Sequence, residues 1–144
     1  MSKPIKVMIA DDHSMVREGI KQLLELDGDI TVVAEANNGK ECIELLDEDK
    51  TDVLLLDINM PFMNGLQVLQ YLREKNKKVK VLILTIHNEV EYLVRAVEIG
   101  VDGYVLKDSN SSVLKKAIHT VYNGESFIEP ELAPLMKIRL EEKN

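Results

Sequence analysis

Residues 53–65 read VLLLDINMPFMNG. Four consecutive apolar residues, Val53 to Leu56, predict a strand that is buried on both faces, because a strand with one solvated face alternates polar and apolar residues. Strands of this kind are typical of parallel sheets covered by helices. Asp57 ends the run, and Pro61 and Gly65 mark the loop that follows it. The stretch therefore predicts a central parallel strand with a carboxylate at its carboxyl end.

Similar apolar runs recur along the chain and alternate with segments of helical periodicity. The predicted strands are residues 7–10, 30–34, 53–56, 79–84 and 104–106. Gly28, Gly100 and Gly124 follow the first, fourth and fifth predicted helices, where a left-handed residue commonly ends a helix. Five strand–helix units over about 125 residues are too few for an eight-fold barrel. The pattern predicts an open, doubly wound α/β fold.

The residues after Gly124 have a different character. Phe127 and Ile128 predict a short extended piece, and Pro130 suits the first position of a sixth helix over residues 131–142. We expect residues 4–125 to form one domain. Residues 126–144 then form a linker and C-terminal helix that lead toward an absent effector domain, or they end a stand-alone domain.

Composition narrows the functional classes. The chain has 18 Lys and Arg against 25 Asp and Glu, a net charge of −7, which argues against nucleic acid as the partner of these residues because phosphates attract clustered cations. No apolar run approaches the roughly 18 residues of a membrane span, so no membrane association is expected. The single cysteine, Cys42, has no partner in the chain and predicts a small buried thiol. The expected compartment is the reducing cytoplasm.

Polar residues stand at the ends of four predicted strands. Asp11 and Asp12 follow the first, Asp57 the third, Thr85 the fourth and Lys107 the fifth. In an open parallel sheet the carboxyl ends of the strands form the ligand crevice, so these side chains are expected to converge. Helix capping needs one acid per helix and explains neither a consecutive pair of acids nor a third that ends an apolar strand.

Such a cluster needs a cation. Two carboxylates about 5 Å apart repel by roughly 3 kcal/mol at an effective dielectric constant near 20. Lys107 supplies one charge, and Mg²⁺ is the expected cofactor because it binds carboxylate oxygens and keeps several waters. The histidines and the cysteine are not spaced as the ligands of a zinc site are. They are His13, His87, His119 and Cys42. The set suits phosphoryl transfer with Asp57 as the nucleophile.

The residues at these strand ends also resemble a known family, the receiver domain of bacterial two-component response regulators. The matching stretches are residues 9–13 (IADDH), 55–61 (LLDINMP) with Gly65, 84–85 (LT) and 103–107 (GYVLK). The turns after the first, fourth and fifth predicted strands further resemble the NarL/LuxR-type subfamily. The resemblance covers residues 4 to about 125 and implies a flavodoxin-like (βα)5 sheet of five parallel strands in the order 2-1-3-4-5.

The resemblance also implies a role for each acidic residue. Asp57 would accept a phosphoryl group from a sensor histidine kinase. Asp12 and Asp57 would bind Mg²⁺ directly, together with the backbone carbonyl of Asn59, and Asp11 would act through a metal-bound water. Asn59 and His87 occupy positions expected to tune attack of water on the acyl phosphate.

The remaining implications concern switching and partners. Lys107 and Thr85 would each hold a phosphoryl oxygen, and Tyr104 would be the switch aromatic that turns inward as Thr85 moves. The chain would be a signalling switch that catalyses only its own phosphorylation and dephosphorylation. A phosphorylation-dependent change in self-association, such as a homodimer, or in partner binding is expected through the fourth helix, fifth strand and fifth helix. DNA would be bound only through an absent C-terminal domain.

Three other functional classes share parts of this pattern. A flavodoxin-like cofactor binder has the same topology, but Asp11 and Asp12 would repel a flavin phosphate. A haloacid-dehalogenase-type phosphatase needs a second Asp two residues after its nucleophile, where this chain has Asn59. A phosphorylation-independent interaction module would retain the site without being labelled by acetyl phosphate.

Overall fold

The computed structural model describes residues 3–48, 51–85, 90–107, 109–130, 132 and 134. Strands and helices alternate along the chain, as the apolar pattern predicts. The strands are β1 (Ile5–Ala10), β2 (Ile30–Ala36), β3 (Val53–Asp57), β4 (Lys80–Thr85), β5 (Gly103–Leu106) and β6 (Phe127–Ile128). The helices are α1 (Ser14–Glu25), α2 (Gly39–Glu48), α3 (Gly65–Glu74), α4 (Val90–Ile99) and α5 (Ser111–Tyr122).

All of these strands belong to one parallel sheet in the order β2-β1-β3-β4-β5-β6. The first five strands confirm the predicted order. The predicted number of five strands is corrected to six, because the extended piece at Phe127 and Ile128 pairs with Gly103 and Tyr104 of β5. Its parallel direction follows from α5, which carries the chain back along the sheet before β6 begins.

The sheet has a hydrophobic core on each face. One core contains side chains of α1 and α5, among them Leu24 and Ile118, and the other contains side chains of α2, α3 and α4, among them Cys42, Leu69 and Leu93. β3 lies in the middle, and every one of its residues is buried. This double coverage explains why its sequence is uninterrupted by polar residues until Asp57.

Several local predictions are also met. Gly28, Gly100 and Gly124 have φ angles of 78°, 116° and 90°, a region in which residues with a Cβ are strained. Cys42 is fully buried, and burial raises the pKa of its thiol to about 12, as expected for an unreactive core cysteine. The predicted sixth helix lies almost wholly outside the described residues. No helix in the described ranges has the length and hydrophobicity needed to cross a membrane.

Candidate functional site

The sheet register brings the predicted site residues to one edge. Ala10 pairs with Leu56, so Asp11 comes next to Asp57 across β1 and β3. Thr85, the last residue of β4, pairs with Leu106, the residue before Lys107. The backbone N–H of Lys107 donates to the carbonyl of Thr85 at 2.7 Å. The convergence predicted from strand ends is therefore what the fold produces.

Lys107 joins two buried carboxylates. Its Nζ lies 3.0 Å from Oδ2 of Asp57 and 3.1 Å from Oδ2 of Asp11. Asp57 is 2% exposed and Asp11 is fully buried, whereas the side chain of Asp12 is about one-third exposed. We call Asp11, Asp12 and Asp57 the acidic cluster. Three carboxylates face one ammonium, which leaves two negative charges without an amine partner.

The excess of negative charge at the site affects the pKa values of Asp57 and Lys107. Burial raises the pKa of Asp57, and the charge of Asp11 adds to the rise, while the hydrogen bond and charge of Lys107 oppose it. Burial by itself lowers the pKa of Lys107, but its contacts with Asp57 and Asp11 outweigh that effect and raise it. The Lys107 ammonium therefore stays charged at neutral pH. Asp57 is the residue whose charged form burial disfavours.

The donor set fits a hard divalent cation. Oδ2 of Asp11 and Oδ2 of Asp57 are buried, and the contact that each makes within the described part of the chain is with the Lys107 ammonium. Ligand atoms of Asp11, Asp12, His13 and Asp57 all lie within 4.8 Å of one another. Carboxylate oxygens at this spacing are the ligands that Mg²⁺ takes in proteins, and the acidic cluster is where it would be held.

Two residues at the site were missed by the sequence reasoning. His13 was given no role, because the histidine spacing matched no zinc site. Its Nδ1 lies 3.1 Å from Oδ1 of Asp11 and 3.0 Å from Oδ1 of Asp12. Arg17 of α1 is 9% exposed; its Nη1 donates to the carbonyl of Asp11 and its Nε to Glu35 at 3.3 Å. The only sequence signal was their proximity to the acid pair. Arg17 thus fixes the chain just after β1.

The other predicted site residues differ in how far they are buried. Thr85 is buried at the end of β4, beside Lys107. Asn59 is exposed, and its backbone N–H donates to Oδ1 of Asp57 at 3.2 Å. Tyr104 is fully buried, so its ring already points inward in this structure. The proposed switch role of Tyr104 and the ligand role of the Asn59 carbonyl stay predictions, and His87 lies outside the described residues.

A close backbone approach shapes the loop after Asp57. A Cβ on Gly65 would lie 2.7 Å from the carbonyl oxygen of Asp57 and 2.9 Å from Cα of Ile58. The N–H of Gly65 donates to the carbonyl of Ile58 at 3.0 Å, and Asn64 caps α3 by accepting from the N–H of Gln67. Glycine at position 65 thus lets the helix begin against the end of β3 and closes the loop tightly around the site.

The raised pKa of Asp57 leads to a stability prediction for the metal-free protein. The unfolded chain releases this proton at a pKa of about 3.9, and the folded chain releases it at higher pH. The folded state binds more protons in that window, so its stability falls as pH rises. We expect Asp57→Asn to melt a few degrees above wild type at pH 7 in EDTA. The gain should vanish below about pH 4.

Circular dichroism melts across pH 3 to pH 8 would measure this effect. Asp27→Asn is a matched control, because Asp27 is an exposed loop carboxylate paired with Lys115 at the opposite edge of the sheet. An Asp57→Asn protein that melts below wild type at pH 7 would contradict the electrostatic description of the site.

Comparison with known proteins agrees with this geometry. The family described as "Response regulator receiver domain" matches residues 7–119. The chain belongs to that family. The receiver is 42% identical over 138 residues to the nitrate/nitrite response regulator protein NarL of Escherichia coli strain K12, covering 96% of this chain and 64% of the relative. It thus spans just under two thirds of the length of that relative.

Solved structures show the same similarity. A two-component response regulator of the LuxR family from Aurantimonas sp. SI85-9A1 matches with a TM-score of 0.88 at 30% identity, covering 95% of this receiver and 98% of that chain. The isolated receiver domain of RcsB from Salmonella enterica serovar Typhimurium, solved with the phosphomimetic BeF3−, matches with a TM-score of 0.84 at 27% identity, covering 93% and 99%. The flavodoxin-like topology and the NarL/LuxR-type subfamily are both supported.

Proposed function

We propose that this receiver is a phosphorylation-activated switch in which Asp57 accepts a phosphoryl group from the phosphohistidine of a sensor histidine kinase. One observation carries the proposal: a buried carboxylate at the end of the central strand lies 3.0 Å from the Lys107 ammonium. The oxygens of Asp11 and Asp12 beside it favour a divalent cation. Phosphoryl transfer requires a rigidly positioned nucleophile and cations that neutralise the phosphoryl oxygens.

Each residue of the site has a different role in the proposed phosphoryl transfer. A carboxylate oxygen of Asp57 forms a bond to phosphorus while the P–N bond of the phosphohistidine breaks, and its electron pair stays on the imidazole. Lys107 is released from Asp57 to bind a phosphoryl oxygen, and the Thr85 hydroxyl donates to another. The acidic cluster would hold Mg²⁺, which would supply further positive charge to neutralise the phosphoryl oxygens. No separate substrate is turned over.

The direct test is incubation with acetyl phosphate and Mg²⁺ followed by intact-mass spectrometry. We expect one adduct of about 80 Da, the mass of a phosphoryl group, that is lost in base because acyl phosphates hydrolyse readily. An unlabelled protein would instead favour a phosphorylation-independent interaction module. The experiment thus separates the two functional classes directly.

The role of the full-length regulator is part of the same proposal. Relatives named as nitrate/nitrite response regulators are longer than this chain, so we propose that control of transcription and contact with DNA belong to an effector domain outside residues 1–144. Within the described residues, the carboxyl ends of the strands carry the acidic cluster, which does not attract DNA phosphates. This receiver would then respond to the kinase in the cytoplasm and pass its state to the effector domain.

We further propose that phosphorylation alters self-association through α4, β5 and α5, because Thr85 and Tyr104 adjoin these elements. The added strand β6 covers the edge of β5, so the two helix faces are the available part of this surface. Amide exchange after addition of beryllofluoride should change across residues 90–122. Changes confined to residues 14–26, which are α1 and its C-cap, would place the response on another surface.

A further inference from the structure

A second buried carboxylate lies outside the acidic cluster. Glu129 follows β6 and is 6% exposed, although Ile128 before it is only half-buried and Pro130 after it is exposed. Burying a charged carboxylate is unfavourable unless hydrogen bonds replace its water. Neither the core nor the proposed phosphoryl transfer uses this residue. Its contacts therefore call for an explanation.

Glu129 attaches the end of β6 to β5 and to the loop after it. Its Oε2 accepts from the backbone N–H of Leu106 at 2.9 Å, and its Oε1 accepts from the hydroxyl of Ser109 at 2.5 Å. Its own N–H donates to the carbonyl of Tyr104 at 3.0 Å. The side chain therefore continues, with one carboxylate, the ladder that the two-residue strand β6 leaves unfinished.

These contacts lie on both sides of Lys107. Leu106 precedes the lysine, and Ser109 begins the approach to α5. On the opposite side, the N–H of Lys107 donates to the Thr85 carbonyl of β4 at 2.7 Å. The backbone that carries Lys107 is thus held from β4 on one side and from Glu129 on the other.

The position of the Lys107 backbone determines whether its ammonium reaches the carboxylates of Asp57 and Asp11. A lysine side chain is long and flexible, and its ammonium must lie within about 3 Å of its partner to form a charge-assisted hydrogen bond. The observed distances to Asp57 and Asp11 depend on where the backbone of Lys107 is held. A displacement of about 1 Å at a reacting group can reduce a rate by about a hundredfold.

We propose that Glu129 is a positioning residue for Lys107, and that docking of residues 127–130 against β5 sets how readily Asp57 is phosphorylated. This inference rests on the proposed phosphoryl transfer. It gives the segment after α5 a direct mechanical connection to the site. Withdrawal of that segment releases Leu106 and Ser109 and loosens the loop that carries the lysine.

The test compares variants of the whole 144-residue chain. Glu129→Ala removes both side-chain bonds, whereas Glu129→Gln keeps an acceptor for the Leu106 N–H and offers an amide N–H to the Ser109 oxygen. Ser109→Ala removes only one bond and serves as a milder variant in case Glu129→Ala does not fold. Glu125→Ala is the matched control, because Glu125 lies exposed in the same segment.

Two measurements are made on each protein: the rate of labelling by acetyl phosphate with Mg²⁺, and amide exchange at Lys107 and Ser109. We expect Glu129→Ala to be labelled about tenfold more slowly and to exchange faster at these two amides, with β1 and β3 unchanged. Ser109→Ala should show a smaller decrease of about threefold. Glu129→Gln should stay within about twofold of wild type, and Glu125→Ala should match it.

The outcomes are distinguishable. If wild type is labelled and Glu129→Ala is labelled at the same rate, the inference is wrong, even if the variant melts at a lower temperature. A Glu129→Gln protein as slow as Glu129→Ala would also overturn it, because its hydrogen bonds are retained. If wild type itself is not labelled, the proposed function fails, and the inference that rests on it fails with it.

Discussion

Replacement of Asp57 by asparagine should abolish labelling by acetyl phosphate, with the labelled fraction falling by more than about a hundredfold. Asparagine has the shape of aspartate but lacks the charged oxygen that attacks phosphorus. Asp57 is the carboxylate at the rigid end of β3 and contacts Lys107 at 3.0 Å. Intact-mass spectrometry over a time course, followed by peptide mapping of the wild-type adduct, measures the effect.

Controls for this experiment come from the other carboxylates. Asp27→Asn removes an exposed carboxylate far from the site and should be labelled like wild type. Labelling that persists in Asp57→Asn, or an adduct mapped to Asp12, would show that another carboxylate is the acceptor. A melting curve of Asp57→Asn recorded in the labelling buffer shows whether the variant is folded, so that loss of labelling can be assigned to the missing carboxylate.

Mg²⁺ should raise the melting temperature of wild type by about 5 to 10 °C. A ligand that binds only the folded state at a hundred times its Kd stabilises by about 2.7 kcal/mol, and each kcal/mol corresponds to about 2 to 4 °C for a domain of this size. The physical reason is the excess negative charge of the acidic cluster, which Lys107 neutralises only in part. Differential scanning calorimetry in EDTA and in Mg²⁺ measures the shift.

Asp12→Ala should remove this response. Asp12 is the most exposed member of the acidic cluster, so its loss leaves the core packing intact. In EDTA the variant should melt at or above wild type, because one of three repelling carboxylates is gone. Asp27→Asn should keep the full Mg²⁺ shift. A shift that survives in Asp12→Ala would place the metal at a different site.

Most of the sheet could be predicted because its signals are periodic and strong. The unbroken run at residues 53–56 required burial on both faces, and glycines after three helices marked their ends. The polar residues at strand ends then converged for a topological reason, since parallel strands direct their carboxyl ends to one edge. The convergence of Asp11, Asp57 and Lys107 at one edge could therefore be predicted from the sequence.

The features that escaped prediction depend on single side-chain contacts. His13 and Arg17 carry no periodic signal, and their roles follow from where α1 begins relative to the acid pair. β6 has only two residues, too few for a sequence pattern to show which strand it joins. Glu129 resembles a solvated surface residue in the sequence, because nothing local shows that the end of β5 and the loop after it each offer it a donor.

The short sixth strand also makes its own edge of the sheet a poor site for strand addition by a second chain. An open sheet exposes the main-chain groups of its outermost strand, and a long exposed strand can recruit a second chain. Here the outermost strand beside β5 is two residues long and is followed closely by Pro130, which has no N–H to donate. A neighbouring molecule therefore finds too short a row of donors and acceptors to extend the sheet. The same few residues that hold the loop of Lys107 thereby disfavour strand pairing at the β6 edge of the sheet.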